Sequence, residues 1–110
     1  MTVTAKALAE IVAEPAAETT LYLAPASTRT IIDKLTATNT TVAAIAVTIK
    51  LVPFGQVAGT PNIVVVTNLA IGATYTFPEV TGHVLNTGDF ISVLAAAIGV
   101  NFRASGREVN

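Results

Sequence analysis

The sequence predicts an all-β fold: a single antiparallel β-sandwich or jelly-roll-like domain over residues 1–110, with about seven to eight strands. Three observations predict it. Val42–Val52 alternates with a period of two, Gly, Pro and Asn clusters interrupt the chain every ~8–12 residues, and no stretch has the strand–helix–strand rhythm of a parallel sheet.

The N-terminal stretch reads two ways. Val3, Ala5, Ala7, Ala9 and Ile11 alternate with Thr2, Thr4, Lys6 and Glu10 as in a strand, whereas Leu8, Ile11 and Val12 have helical spacing and Lys6 and Glu10 would pair at i,i+4. The strand is preferred, because every later element is β and a lone helix would need a packing site of its own. The dual pattern also suits an extended arm, residues 1–14, that folds back or swaps onto a neighbour's sheet.

LYLAPASTRTIIDKLTATNTT, Leu21–Thr41, is a Pro25-centred turn followed by a strand in which Ile31, Leu35 and Ala37 supply core and Thr36, Thr38 and Thr40 the other face. Asp33 shares the core parity. A carboxylate is costly there, so either a bulge or a rim position turns it outward, or Arg29, Lys34 or a neighbouring chain pairs with it.

Ala43, Ile45, Val47, Ile49 and Leu51 form the buried side of the next strand, which Pro53, Phe54 and Gly55 end. Gln56–Asn62 is a loop, and NIVVVT is a short strand apolar on both faces. Ile71, Ala73, Tyr75 and Phe77 alternate up to Pro78, and Glu79–Asp89 is a turn-rich connection. Asp89–Ala97 is a strand apolar on both parities, Gly99 breaks it, and Val100, Phe102 and Ala104 mark the last strand. Hairpin logic pairs these last two antiparallel.

Charged residues make up only 12% of the chain against 52% hydrophobic, where a soluble domain carries about 25% charged. Part of the apolar surface is therefore expected to face another chain. A net charge of -1 gives no field for nucleic acid, so no such partner is expected. Without cysteine, disulfides and thiolate metal sites are excluded. No apolar run reaches the ~18–20 residues of a membrane span, and MTVTAKALAEI lacks the features of a signal peptide, so neither a membrane partner nor classical secretion is expected.

Chemistry is sparse. The one histidine, His83, has no nucleophile or ligand set around it in sequence and reads as a solvated or backbone-bonded loop residue. The acids are scattered, GQVAG and TGHVLNTG lack the strand–turn–helix setting of a phosphate loop, and no cofactor is implied. Tyr22, Tyr75 and Phe77 read as core or interface. The surplus lies in Asp89–Ala97: a two-layer sandwich covers one face of each strand, and the other meets another subunit or lies under a loop or the N-terminal arm. The candidate subunit-interface residues are Asp33, Phe90, Ile91, Val93 and Leu94.

The pieces Leu21, Tyr22, Pro25 and Ala26, then Thr30 to Asn39, then Ser105, Gly106 and Glu108 follow an order that resembles small β-sandwich virion structural proteins of tailed bacteriophages, in which an LYxxPA turn precedes TxIIxxLxxTNT and an SGxE strand closes the chain. Asp33 departs from the pattern, since such strands usually carry Thr or Ser there. The resemblance implies a non-enzymatic component of the particle, a capsid decoration, head or neck fibre, or tail-associated protein. It also implies a homo-oligomer, often a trimer, that contacts other virion proteins and assembles in the bacterial host cytoplasm. The competing expectation is a host-surface or glycan-binding module using loops 56–62 and 79–89.

Overall fold

Strands that alternate need a cover on one face only, and this chain supplies it by building two sheets that cover each other. The computed structural model describes residues 1–12 and 18–110. Its strands are β1 Val3–Val12, β2 Thr19–Leu23, β3 Arg29–Asn39, β4 Ile45–Val52, β5 Ile63–Leu69, β6 Thr74–Thr76, β7 Val84–Leu85, β8 Phe90–Ala95 and β9 Val100–Val109. One sheet has the order β1-β9-β3-β6, with the short β7 also on β3, and the other has the order β2-β8-β4-β5.

The order has a simple origin. β4 pairs with β5, β3 with β6, β2 with β8 and β1 with β9, all antiparallel, so the chain is one long hairpin of nested pairs. Rolling that hairpin lays β9 beside β3 and β8 beside β4, which is the jelly roll. The hairpin expected between the last two strands does not form. β8 is already flanked by β2 and β4, and β9 by β1 and β3, so neither has a free edge for the other and residues 96–99 cross between sheets.

The N-terminal stretch is a strand, lying along β9 of the same chain. Residues 13 and 14 of the arm expected over 1–14 lie outside the described residues. The strand expected to run to Phe77 shortens to Thr74–Thr76, because β5 continues to Leu69 and residues 70–73 then reverse the chain, with Gly72 at φ 70°.

Asp33 sits in a β-bulge. β3 has one extra residue between Ile32 and Lys34, opposite Ser105 and Gly106 of β9. The insertion switches parity, so Thr30 and Ile32 face the core before it, Leu35, Ala37 and Asn39 after it, and Asp33 is exposed. Ile32 therefore fills the core at 0% exposure, and Ile31, the residue that simple alternation selects, is half-buried on the opposite face.

Between the sheets, Leu35, Phe102 and Ala104 oppose Val47, Ile49 and Ile91, and the long connection after β6 closes one side with Phe77, Val80 and Leu85, all buried. The Phe77 ring meets Tyr75 edge-on at 4.8 Å between centroids.

Candidate assembly surface

The strand ladders sort the loops. Ile45 lies opposite Leu69 and Asn39 opposite Val100, which gathers residues 40–44, 70–73 and 96–99 at one end; Val52 lies opposite Phe90, which puts loops 53–62 and 86–89 at the other. The ten residues of β9 at ~3.3 Å each keep the two ends about 30 Å apart.

The first end is organised by Asn39. This side chain is fully buried; its amide donates to the carbonyls of Ala43 at 2.8 Å and Leu69 at 3.0 Å, and its oxygen accepts from the Thr41 N–H at 2.9 Å and the Thr41 hydroxyl at 2.7 Å. The neighbouring backbone joins in, with Asn39 N–H donating to Ala73 and Thr40 N–H to Gly99. The amide thus pins loop 40–44 to the end of β5, and the Asn39 and Thr40 backbone, with the Thr40 hydroxyl on Gly99, brings loops 70–73 and 96–99 into the same surface. On that surface stand Val42, Ile71 and Ile98, which are 90%, 65% and 64% exposed. None of residues 40–44, 70–73 or 96–99 is charged. A fully satisfied polar hub of this kind fixes the loops from which the apolar side chains project.

The other end carries a polar tie between sheets. The Tyr22 hydroxyl of β2 donates to Glu108 of β9 at 2.5 Å and sits 2.8 Å from the Thr30 hydroxyl of β3; Lys6 lies 3.4 Å from the same carboxylate. Because the single Tyr22 O–H hydrogen is directed at Glu108, the Tyr22 oxygen accepts from the Thr30 hydroxyl. Burial, then the bond to Glu108 and its charge, push the Tyr22 phenol up to about 12. A group whose folded pKa is raised contributes stability that is complete below its unfolded value, near 10, and is lost as pH rises through the folded value. Wild-type protein is therefore expected to lose stability between pH 10 and 12 by at most about 2 kcal/mol more than Tyr22→Phe. Urea unfolding of both at pH 9, 10 and 11 measures this; parallel curves would refute it.

The two outer faces differ in charge. On the first sheet Lys34, Thr36, Arg103 and Ser105 lie outward, and Arg107 makes a two-pronged contact with Asp33 at 2.9–3.2 Å. That bond and the Asp33 charge raise the Arg107 guanidinium's pKa. On the second sheet Leu23, Phe90, Leu94 and Val66 lie outward, with Val66 60% and Leu23 57% exposed. The charges there are confined to one cluster, in which Glu18 accepts from Lys50 and, at 2.6 Å, from the Ser92 hydroxyl. Burial pulls the Glu18 carboxyl up, and the bonds from Lys50 and Ser92 with the Lys50 charge outweigh it, leaving its pKa lowered.

The sequence-predicted interface residues thus separate. Ile91 and Val93 are 0% and 4% exposed within the protomer's own core, Phe90 and Leu94 are half-buried on the outer face of the second sheet, and Asp33 is on the charged face, paired with Arg107. Of the loops 56–62 and 79–89, the second is braced by Asp89, whose carboxylate accepts from the Asn86 N–H within the loop and from the Phe54 N–H in the turn that precedes the first. His83 is exposed, and its backbone bonds Ile32 and Val80. Among the described residues no three acids or histidines gather as a metal site, and no helix is long and apolar enough to cross a membrane. Sequence reasoning missed Asn39 and the loop cluster. The signal was an amide between threonines at a strand end, followed by three loops without charge.

No family model matches the sequence, and no curated protein matches it. Among solved structures, the chain is similar to the VP2 protein of infectious bursal disease virus (D431N mutant, derived T=1 particles), with 15% identity, a TM-score of 0.42, and 97% of this chain covered against 31% of that one. It is also similar to the structure of the Gx strain of the same virus, with 15% identity, a TM-score of 0.40, and coverage of 97% and 30%. The chain spans about a third of the length of the solved chains it matches, and the fold assignment rests on its own strand order.

Proposed function

We propose that this chain is a non-enzymatic structural component of a virus particle, of the tailed-phage decoration, fibre or tail-associated kind that its turn and strand motifs resemble. It works as a homo-oligomer that also meets other virion proteins, and it requires no cofactor, nucleic acid or membrane. The carrying observation is the uncharged loop end on which Val42, Ile71 and Ile98 stand exposed around the Asn39 hub. Apolar side chains held out in water by a rigid scaffold lower their free energy by meeting another protein surface. A glycan site on loops 56–62 and 79–89 has less support, because the aromatic side chains near them amount to exposed Phe54 and a half-buried Tyr75 whose hydroxyl is bonded to Glu79.

The test joins light scattering to particle composition. The purified chain is expected to associate with rising concentration, and Val42→Asp with Ile98→Asp is expected to weaken that association at least about tenfold while leaving the circular dichroism spectrum unchanged. Mass spectrometry of particles released by the bacterial host is expected to find the chain. A strict monomer that is also absent from particles would overturn the proposal.

A further inference from the structure

We infer that β5 is a pairing edge, and that two copies of the chain join β5 to β5 antiparallel about a two-fold axis at Thr67, fusing their four-stranded sheets into one. The inference rests on the reading of the chain as a self-assembling protein and adds the strand, the register and the symmetry.

The sheets have four edges, and three are guarded. β1 carries Lys6 and a bulge between Ala7 and Ala9; β2 has five residues and a bulge between Thr20 and Tyr22; β6 and β7 have three and two residues. Bulges, charges and shortness are the devices that keep an edge from templating another strand. β5 has an irregularity at its start, at Val64, and beyond it Val65–Leu69 runs regularly against β4 without a charge or a proline.

The hydrogen-bond phase of that edge follows from the ladder. The Ala46 carbonyl accepts from the Ala96 N–H on the β8 side, so even residues of β4 turn to β8 and odd residues to β5. Val47 lies opposite Thr67 and Ile49 opposite Val65, which turns Thr67 and Val65 to β4 and leaves the N–H and C=O of Val66 and Asn68 aimed away from the sheet. Those two residues flank Thr67 symmetrically. A two-fold axis there sets Val66 opposite Asn68 of the second copy, where each exchanges both backbone bonds with the other, and no like charges meet. A second copy fits because the edge is its own complement, the isologous condition for a closed dimer. The row Leu94, Thr48, Val66 on the outer face then continues across the axis.

Sedimentation equilibrium of the wild type and of Val66→Lys, together with amide exchange of the wild type at high concentration, tests this. A dimer weakened at least about tenfold by the lysine, with slow exchange at the Val66 and Asn68 amides, is expected. The chain has no cysteine, so Thr67→Cys, which meets its own copy at the axis in a non-hydrogen-bonded pair where side chains stand closest, should cross-link copies under mild oxidation, the paired Cα atoms lying about 4.5 Å apart. An oligomer indifferent to the lysine, with fast exchange at both amides, would overturn the edge and leave the assembly reading standing. A wild-type monomer at every concentration would overturn the edge, and with the chain also absent from particles it would overturn the assembly reading; the exchange data decide the edge even if a variant fails to fold.

Discussion

Replacing Gly106 with alanine is expected to destabilise the protein by about 3 kcal/mol or more, a fall in Tm of roughly 10–20 °C for a domain of this size. A Cβ at this position would lie 2.2 Å from the Ile31 carbonyl oxygen and 3.0 Å from a Leu8 methyl carbon. The oxygen belongs to backbone in the middle of a sheet, so the contact is relieved only by parting β9 from β3. Gly106 stands opposite Ile32, beside the bulge that carries Asp33 outward, and the missing side chain is what lets the bulged backbone come so close. Gly88→Ala supplies the comparison. Its Cβ lies nearest the Phe54 side chain, at 2.3 Å and 2.8 Å from ring carbons and 3.0 Å from the Phe54 Cβ, and the ring is 76% exposed with room to swing into solvent. What remains is the contact with the Phe54 Cβ and the φ of 87°, the latter worth about 1–2 kcal/mol. Urea unfolding of the two variants should rank them in that order; equal losses would show that the close approach at Gly106 is not what limits it.

Gly106 also marks the boundary between what could be read from the sequence and what could not. The alternation of Val100, Phe102 and Ala104, and the strand after Ile45, survive into the structure because period two is a local property of strands facing one core. The bulge does not announce itself. It shifts parity by one residue, so Ile31 and Ile32 exchange roles and Asp33 alone, out of place on a core face, gives it away. Pairing was harder still. The rule that consecutive strands form hairpins holds for β4 and β5 and fails for β8 and β9, since in a nested roll the partner of the last strand is the first. Only the summed burial of two complete sheets selects that arrangement, and such long-range closure has no local signature.

The same limit applied to the interface. Phe90, Ile91, Val93 and Leu94 drew attention because both parities of their strand are apolar, and the structure divides them between its own core and its outer face. The loop end was invisible as a surface because its residues are spread over positions 40–44, 70–73 and 96–99, each too short to register as apolar. Asn39 and its neighbour Thr40 bring them together, and Asn39 looked like one more β-compatible polar residue in a threonine-rich run.

For that reason Asn39→Asp, which changes one group in size hardly at all, is expected to cost about 3 kcal/mol or more at pH 7. The wild-type amide donates to two carbonyls and accepts from Thr41 twice. A carboxylate keeps the accepting half and sets negative charge against the Ala43 and Leu69 carbonyls at full burial. Its folded pKa must then lie above the unfolded value near 3.9, since only the protonated form can donate. Stability held by that form is complete below the unfolded pKa and lost as pH rises through the folded one. Measured against the wild type, the penalty in urea unfolding should therefore shrink as pH is lowered from 7 towards 4. Asn39→Ala, which has no proton to gain, should show a penalty nearly flat with pH. A flat profile for the aspartate variant would mean that the loops at this end are held by their backbone bonds alone, and Val42, Ile71 and Ile98 would then be presented by something other than this amide.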